Sequence, residues 1–169
     1  MTQTTRRYVL WAFGLLFFQI AVLNNLNAGN LIFPFAYILF ILILPKNIPH
    51  WLLLLVGFTY GSAVDILSLT YGAHAFVTTL VSFVRPYLLN TISPGDSDGA
   101  GTIVSIQQIG FQKFMAYAGI LVALHHLFIS LIDELRVDSI LHLLSQVVIS
   151  SAVTIFIVTI IQFIFIKSK

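Results

Sequence analysis

Apolar stretches of roughly membrane-spanning length follow one another along this chain of 169 residues. An α-helix needs about 20 apolar residues to cross the hydrocarbon core of a bilayer, which is about 30 Å thick. Six candidate stretches cover residues 8–26, 31–45, 51–69, 73–92, 113–132 and 139–166. Hydrophobic residues make up 59% of the chain and charged residues 8%, against about 25% charged residues in soluble domains. The sequence therefore predicts an all-α, polytopic membrane protein with six transmembrane helices in a single domain, residues 1–169.

The basic residues predict how these helices are oriented. Cytoplasmic loops of membrane proteins carry an excess of lysine and arginine. With the N-terminus inside, the cytoplasmic side collects Arg6, Arg7, Lys46, Lys113, Lys167 and Lys169. Arg85 falls in the cytoplasmic half of the fourth stretch, and only Arg136 lies outside. The predicted topology is therefore N-in and C-in.

Several classes of function find no support in the residues. The chain has no cysteine, which excludes disulfides, thiolate metal sites and cysteine nucleophiles. It also lacks the P-loop, H-E-x-x-H and G-x-S-x-G patterns. The eight lysines and arginines are too thinly spread for a nucleic-acid interface. We expect a protein that is not an enzyme, has no cofactor or metal and does not bind nucleic acid.

Polar residues recur at helical spacing inside the apolar stretches. Such residues are costly in lipid, so they usually face other helices or a cavity. The fourth stretch carries His74, Thr78, Ser82 and Arg85 on one face, and the sixth carries His142, Gln146, Ser150 and Thr154. Asp65, the adjacent pair His125 and His126, and Gln19 lie in the remaining stretches. The sequence predicts an intramembrane polar network or pocket built from Asp65, His74, Arg85, His125, His142 and Gln146.

The residues leave the role of each ionisable group open. Arg85 could extend its head to the cytoplasmic headgroups, as long basic side chains do, or find a partner inside the protein. Asp65 could be held by hydrogen bonds between helices or could serve a function, the default hypothesis for an intramembrane acid. His125 and His126 could be structural, or could form a metal site or a proton relay. Adjacent helical residues point about 100° apart, which disfavours a shared metal.

Two backbone features complete the pattern. Gly57 and Gly61 lie one turn apart on the same face as Asp65. Small residues at this spacing allow close helix packing in membranes. Pro86 removes one backbone donor and displaces the carbonyl of Ser82, which predicts a kink in the fourth helix.

Four strings in the first half of the chain occur together in a known family. They are PFAYILFILILP at 34–45, GFTYGSAVD at 57–65, TYGAHA at 70–75 and FVRP at 83–86. In order and spacing they resemble the MreD family, bacterial inner-membrane proteins of the rod-shape system, or elongasome. The resemblance covers about residues 8–90 and extends to Gly61, Asp65, Gly72, His74, Arg85 and Pro86.

The resemblance implies a non-enzymatic scaffold that supports cell shape and peptidoglycan synthesis. Its implied partner is MreC, a membrane protein with a single span, and it would help to couple peptidoglycan synthases to cytoskeletal MreB. The implied fold is similar to that of the S components of energy-coupling-factor transporters. This likeness leaves an alternative, a subunit that binds or transports a vitamin-like molecule or a membrane lipid. A third hypothesis is a proton- or lipid-handling protein that uses Asp65.

Overall fold

The computed structural model of the protein describes residues 3–25, 32–94, 103–133 and 140–165. All regular elements in these ranges are helices. They are α1 (Gln3–Ala21), α2 (Leu39–Ile43), α3 (His50–Ser68), α4 (Ala73–Ile92), α5 (Ile106–Ile109), α6 (Phe111–Asp133) and α7 (Ile140–Phe165), with short 3-10 helices at Leu23–Asn25 and Ala36–Ile38. Arg136, Lys167 and Lys169, which contribute to the predicted orientation, lie outside the described residues.

Five of the helices are long and apolar enough to cross a membrane, namely α1, α3, α4, α6 and α7. The chain is therefore a multi-pass helical membrane protein, as predicted. The fourth predicted stretch coincides with α4, and the third differs from α3 by one residue at each end. The second stretch, 31–45, contains no described helix longer than the five residues of α2.

We call residues 32–45 the core segment because it occupies the centre of the protein. Every side chain from Ala36 to Leu44 is at most 7% exposed. The segment is non-helical at 32–35, forms a 3-10 turn and then α2, and leaves the helix before Pro45. Pro34 and Pro45, which cannot donate a backbone hydrogen bond, bracket the helical part. The prediction of a membrane-spanning helix at 31–45 is not confirmed, because the apolar character of this stretch accompanies burial within the protein.

The ends of the long helices show how the bundle is arranged. The side chain of Asn24, just after α1, donates to Ser68 Oγ at the end of α3, at 3.0 Å. The rings of Trp11 and Phe165 meet edge to face with centroids 6.4 Å apart. The first half of α1 therefore lies beside the end of α7, while α1 and α3 finish next to each other.

The core segment passes between these two ends of the bundle. Near its start, the carbonyl of Pro34 accepts a hydrogen bond from Gln19 in the last turns of α1, at 3.0 Å. Just beyond its end, Lys46 Nζ donates to the carbonyl of Ser93 at the end of α4, at 2.6 Å. Since α3 and α4 form a helical hairpin, the segment runs from the hairpin's turn towards its open end.

Helices α3 and α4 pack most closely at two glycines. A Cβ atom added at Gly61 would lie 2.5 Å from the carbonyl oxygen of His74 and 2.6 Å from Cα of Ala75. One added at Gly57 would lie 3.0 Å from the carbonyl oxygen of Thr78. The face predicted to pack closely thus contacts α4, and no larger residue fits at Gly61 unless the backbones separate.

Candidate functional site

The core segment carries backbone groups that its own short helices do not pair. Non-helical backbone is tolerated at membrane depth only where protein or water satisfies it. Two hydroxyls on α7 do so at the start of the segment. Phe33 N–H donates to Ser150 Oγ and Phe35 N–H donates to Thr154 Oγ1, each at 3.0 Å. Half of the polar stripe predicted on α7 therefore binds backbone.

Gln19, on α1, also pairs backbone groups of the core segment. Its Nε2 donates to the carbonyl of Pro34, and its Oε1 accepts from the backbone N–H of Tyr37 at 3.4 Å. The side chain is only 1% exposed. One amide thus pairs both an acceptor and a donor of the core segment, on either side of the residues where the 3-10 turn begins.

Arg85 binds the other end of the core segment. Its Nε donates to Tyr117 Oη at 2.9 Å, Nη1 donates to the carbonyl of Pro45 at 3.4 Å, and Nη2 donates to the carbonyls of Leu42 and Leu44. Tyr117 Oη in turn donates to the carbonyl of Leu42 at 3.0 Å. The last carbonyls of a helix lack partners within it and favour a nearby cation.

Of the two alternatives for Arg85, the structure therefore places the guanidinium inside. The whole residue is 1% exposed and is among the largest fully buried side chains of the described residues. Its guanidinium acts as a C-terminal cap for α2. A fork of donors suits this position because the carbonyls to be paired lie at several points around one helix end.

Asp65 caps the N-terminal end of a helix, α4, whereas Arg85 caps a C-terminal end. The N-cap residue of α4 is Gly72, which has no side chain to offer. Asp65 Oδ2 instead accepts from the N–H of Ala75 at 2.8 Å, and Oδ1 accepts from the N–H of His74 at 3.1 Å. Oδ1 also accepts from Thr70 Oγ1 at 2.5 Å and lies 3.0 Å from His74 Nδ1.

The carboxylate of Asp65, on α3, therefore takes the place of the N-cap side chain that α4 lacks. An N-cap side chain usually accepts from the second or third N–H of the helix, and negative charge is favoured there by the helix dipole. Asp65 meets both conditions and is 5% exposed. Of the hypotheses for this residue, hydrogen bonding between helices agrees with its contacts to the amides of His74 and Ala75.

Three imidazoles surround the ring of Phe35 in the core segment. The ring centroid of Phe35 lies 5.4 Å from those of His74 and His125 and 5.2 Å from that of His126. All three histidines are at most 5% exposed. The predicted network thus brings together α4 and α6, with an apolar ring of the core segment between their histidines.

The two histidines of α6 point to different partners. His125 Nε2 lies 2.5 Å from Tyr37 Oη, and His126 Nε2 lies 2.9 Å from Thr154 Oγ1. His125 Nδ1 is buried and has no hydrogen-bond partner among the described residues. Within the described ranges, no three His, Cys, Asp or Glu side chains are placed to hold a metal ion. The pair therefore holds the core segment and α7 against α6.

Other predicted site residues stay outside this cluster. His142 is exposed in the first turn of α7, whereas Gln146, one turn further on, is 9% exposed. Gln146 Oε1 is buried without a hydrogen-bond partner among the described residues. Helix α4 continues across Pro86 to Ile92, and the kink expected there stays a prediction.

Two tyrosines of the network were missed by sequence reasoning. Tyr117 lies eight residues before His125, which places both on the same face of α6. That spacing could have identified Tyr117 as an inward residue. Tyr37 lies in an unbroken apolar run and carried no such signal.

Comparisons with known proteins found no relative of this chain. No protein-family model, curated protein sequence or solved structure matches the chain. The fold and contacts define a multi-pass helical membrane protein with a buried central segment, and membership of the MreD family stays a prediction from the strings between residues 34 and 86.

Proposed function

We propose that this protein is a non-enzymatic scaffold of the bacterial rod-shape system in the cytoplasmic membrane, and that its lipid-facing surface binds the membrane span of MreC. The observation that supports this proposal is the use of the intramembrane charges. The side chains of Asp65 and Arg85 both form hydrogen bonds with helix ends of the protein itself. Charged groups inside membranes often bind substrates or ions, but these two are engaged in hydrogen bonds within the protein.

The internal contacts make the polar interior a source of rigidity. Side chains from α1, α4, α6 and α7 all bind backbone of the core segment. Because four of the five long helices are tied to the same segment and α3 packs closely against α4, the helices keep fixed relative positions. A rigid bundle presents an outer surface of defined shape, which is what a scaffold needs to select a partner helix by packing.

The scaffold would cross the membrane six times, with both termini in the cytoplasm. The sixth crossing would be the core segment, because its non-helical residues cover up to about 3.3 Å each and its helical residues less. On this basis its 14 residues reach up to about 30 Å, the thickness of the hydrocarbon core. The contact between Trp11 and Phe165, which places the first half of α1 beside the end of α7, agrees with termini on one side.

The alternative, a binding or transport subunit resembling an S component, receives less support from the same contacts. It would use Asp65, His74, Arg85 and His142 to line a pocket. Asp65 and Arg85 are engaged with backbone, and His142 is exposed at the beginning of α7. A proton-handling role for Asp65 is likewise weakened, since both of its oxygens already bind backbone amides.

Co-purification with MreC tests the scaffold. The tagged full chain would be co-expressed with MreC and, as a control, with MreC whose membrane span is replaced by an unrelated apolar span. Three single variants, Phe17→Ala, Phe58→Ala and Phe156→Ala, probe α1, α3 and α7. These side chains are 73%, 55% and 66% exposed, so their truncation leaves the interior intact.

We expect a stable complex in mild detergent, loss of the complex with the replaced span, and weakening by the variant on the docking face. Depletion of the protein should make rod-shaped cells round. Failure of the unmodified chain to retain MreC, or equal retention of the replaced span, would refute the proposal.

A further inference from the structure

A groove of about 670 Å³ opens between α1 and α7. Arg7, Trp11, Gly14 and Phe18 line it on α1, and Ile157 and Phe165 are among its residues on α7. The contact between Trp11 and Phe165 brings the helices together near one end. Gly14 widens the groove, because a Cβ atom added there would have no neighbour within 4 Å.

The groove has the length of one membrane leaflet. From Arg7 to Phe18 the axis of α1 rises about 16 Å, at 1.5 Å per residue. Half of a hydrocarbon core about 30 Å thick is about 15 Å. A partner helix that spans the membrane would need a surface about twice as long, whereas a lipid acyl chain needs only one leaflet.

The groove also has a charge at only one end. Arg7 is the single charged residue among those that line it, and the rest are apolar or glycine. Among the described residues, no ion pair joins Arg7 to a carboxylate. A guanidinium binds a phosphate through two parallel donors, which makes it suited to a phospholipid headgroup.

We propose that this groove binds one anionic phospholipid from the leaflet on the side of Arg7. One acyl chain lies along Gly14 towards Phe18, and the headgroup phosphate binds the guanidinium of Arg7. The site differs from the proposed docking of MreC in its occupant, since the groove has the length of one leaflet and a partner span would need a surface about twice as long. It also differs from an interior ligand pocket, since it opens laterally to lipid.

Native mass spectrometry of the full chain tests the site. The protein would be released from nanodiscs that contain equal amounts of phosphatidylglycerol and phosphatidylcholine with matched acyl chains. Gly14→Leu fills the groove with little disturbance of the fold, and Gly119→Leu on α6 is its control. Arg7→Ala removes the charge that faces the groove, and Arg6→Ala removes the neighbouring charge, which does not line it.

We expect one retained lipid per chain, mainly phosphatidylglycerol, in the unmodified protein and in both controls. Gly14→Leu should lower the retained lipid at least tenfold. Arg7→Ala should lower the preference for phosphatidylglycerol about fivefold, the effect of one basic residue at an anionic surface.

Three results would overturn the proposal. They are a chain released without lipid, a Gly14→Leu variant that retains as much lipid as Gly119→Leu, and equal effects of Arg6→Ala and Arg7→Ala. A dimer in place of the lipid-bound monomer would assign the groove to a second copy and would also refute it. Unfolding of Gly14→Leu in lipid-free detergent should match the unmodified chain, which separates loss of the site from loss of the fold.

Discussion

Asp65 and Arg85 each pair backbone groups at the end of a helix, but their partners lie at very different separations in sequence. Asp65 pairs the first amides of α4 with a carboxylate that lies only nine and ten residues away in sequence. Arg85 pairs the last carbonyls of α2 with a guanidinium that lies 41 and 43 residues away. The Asp65 cap is thus part of one helical hairpin, whereas the Arg85 cap joins separate parts of the chain.

This difference indicates what each cap stabilises. Removal of Asp65 leaves unpaired amides at the start of α4, but the α3–α4 interface remains held by the close packing at Gly61. Removal of Arg85 leaves unpaired carbonyls in the centre of the protein and disconnects Tyr117 of α6 from α4. We therefore expect local loss of structure in the first case and loss of tertiary structure in the second.

The largest effect is expected for Arg85→Leu. It leaves the carbonyls of Leu44 and Pro45 without the donors that they have now, and a buried acceptor without a partner costs about 1–3 kcal/mol. The free energy of unfolding should fall by about 3–5 kcal/mol in total. Unfolding by SDS in mixed micelles, followed by circular dichroism, measures it.

Arg85→Lys is the matched variant because it keeps the charge and loses the fork. It should lose about half as much stability as Arg85→Leu, since an ammonium group cannot reach carbonyls on several sides of the helix end. Stability equal to that of the unmodified chain would show that charge alone is sufficient and that the proposed cap geometry is wrong.

Gly61→Ala should have the second-largest effect. The added Cβ would meet the carbonyl oxygen of His74 at 2.5 Å and Cα of Ala75 at 2.6 Å, which are backbone atoms that cannot rotate away. Overpacking of this kind costs about 1–3 kcal/mol, and we expect the upper part of that range. The same SDS titration measures it, with Gly14→Ala as control because no atom lies near its Cβ position.

If Gly61→Ala and Gly14→Ala unfold at the same SDS concentration, α3 and α4 are not in close contact at Gly61. The Asp65 cap would then have to be reconsidered as well, because it requires the amide of His74 to lie near α3.

Asp65→Asn should have the smallest of the three effects. Each carboxylate oxygen accepts from at least one donor, so the NH₂ group of asparagine must face an N–H or O–H donor on one side. Loss of a charged N-cap costs about 1–2 kcal/mol. Ser62→Ala is the control, because the Ser62 hydroxyl donates to the carbonyl of Phe58 in its own helix.

Hydrogen exchange gives the sharper measurement for Asp65→Asn. Exchange should accelerate at the amides of His74 and Ala75 while protection in α6 stays unchanged. Faster exchange throughout the protein would mean that Asp65 stabilises the whole fold, and the contrast with Arg85 would disappear.

The long helices and much of the network could be predicted because they depend on local pattern. The range of α4 followed from its apolar run between Gly72 and the polar stretch after Ile92. The stripe from His74 to Arg85 followed from helical spacing, and all four of its residues are buried. Periodicity tells which face of a helix turns inward, whatever the helix packs against.

The core segment and the partner of Arg85 could not be predicted in the same way. Hydropathy is equally high for a segment buried in lipid and for one buried in protein. For this reason the sequence predicts a sixth spanning helix at residues 31–45. The choice between an anchor and a cap at Arg85 depends on carbonyls that are distant in sequence. Likewise, helical spacing grouped His142 with Gln146, although the first turn of α7 leaves His142 exposed.

The dependence of the core segment on four long helices has a consequence for biogenesis. Alone in lipid, its non-helical backbone would have no partners, a state that costs several kcal/mol for each unpaired group. Its partners at Ser150 and Thr154 are synthesised more than 100 residues after it. The backbone pairing seen in the folded protein can therefore form only after α7 has been synthesised, so the core segment reaches its final conformation late.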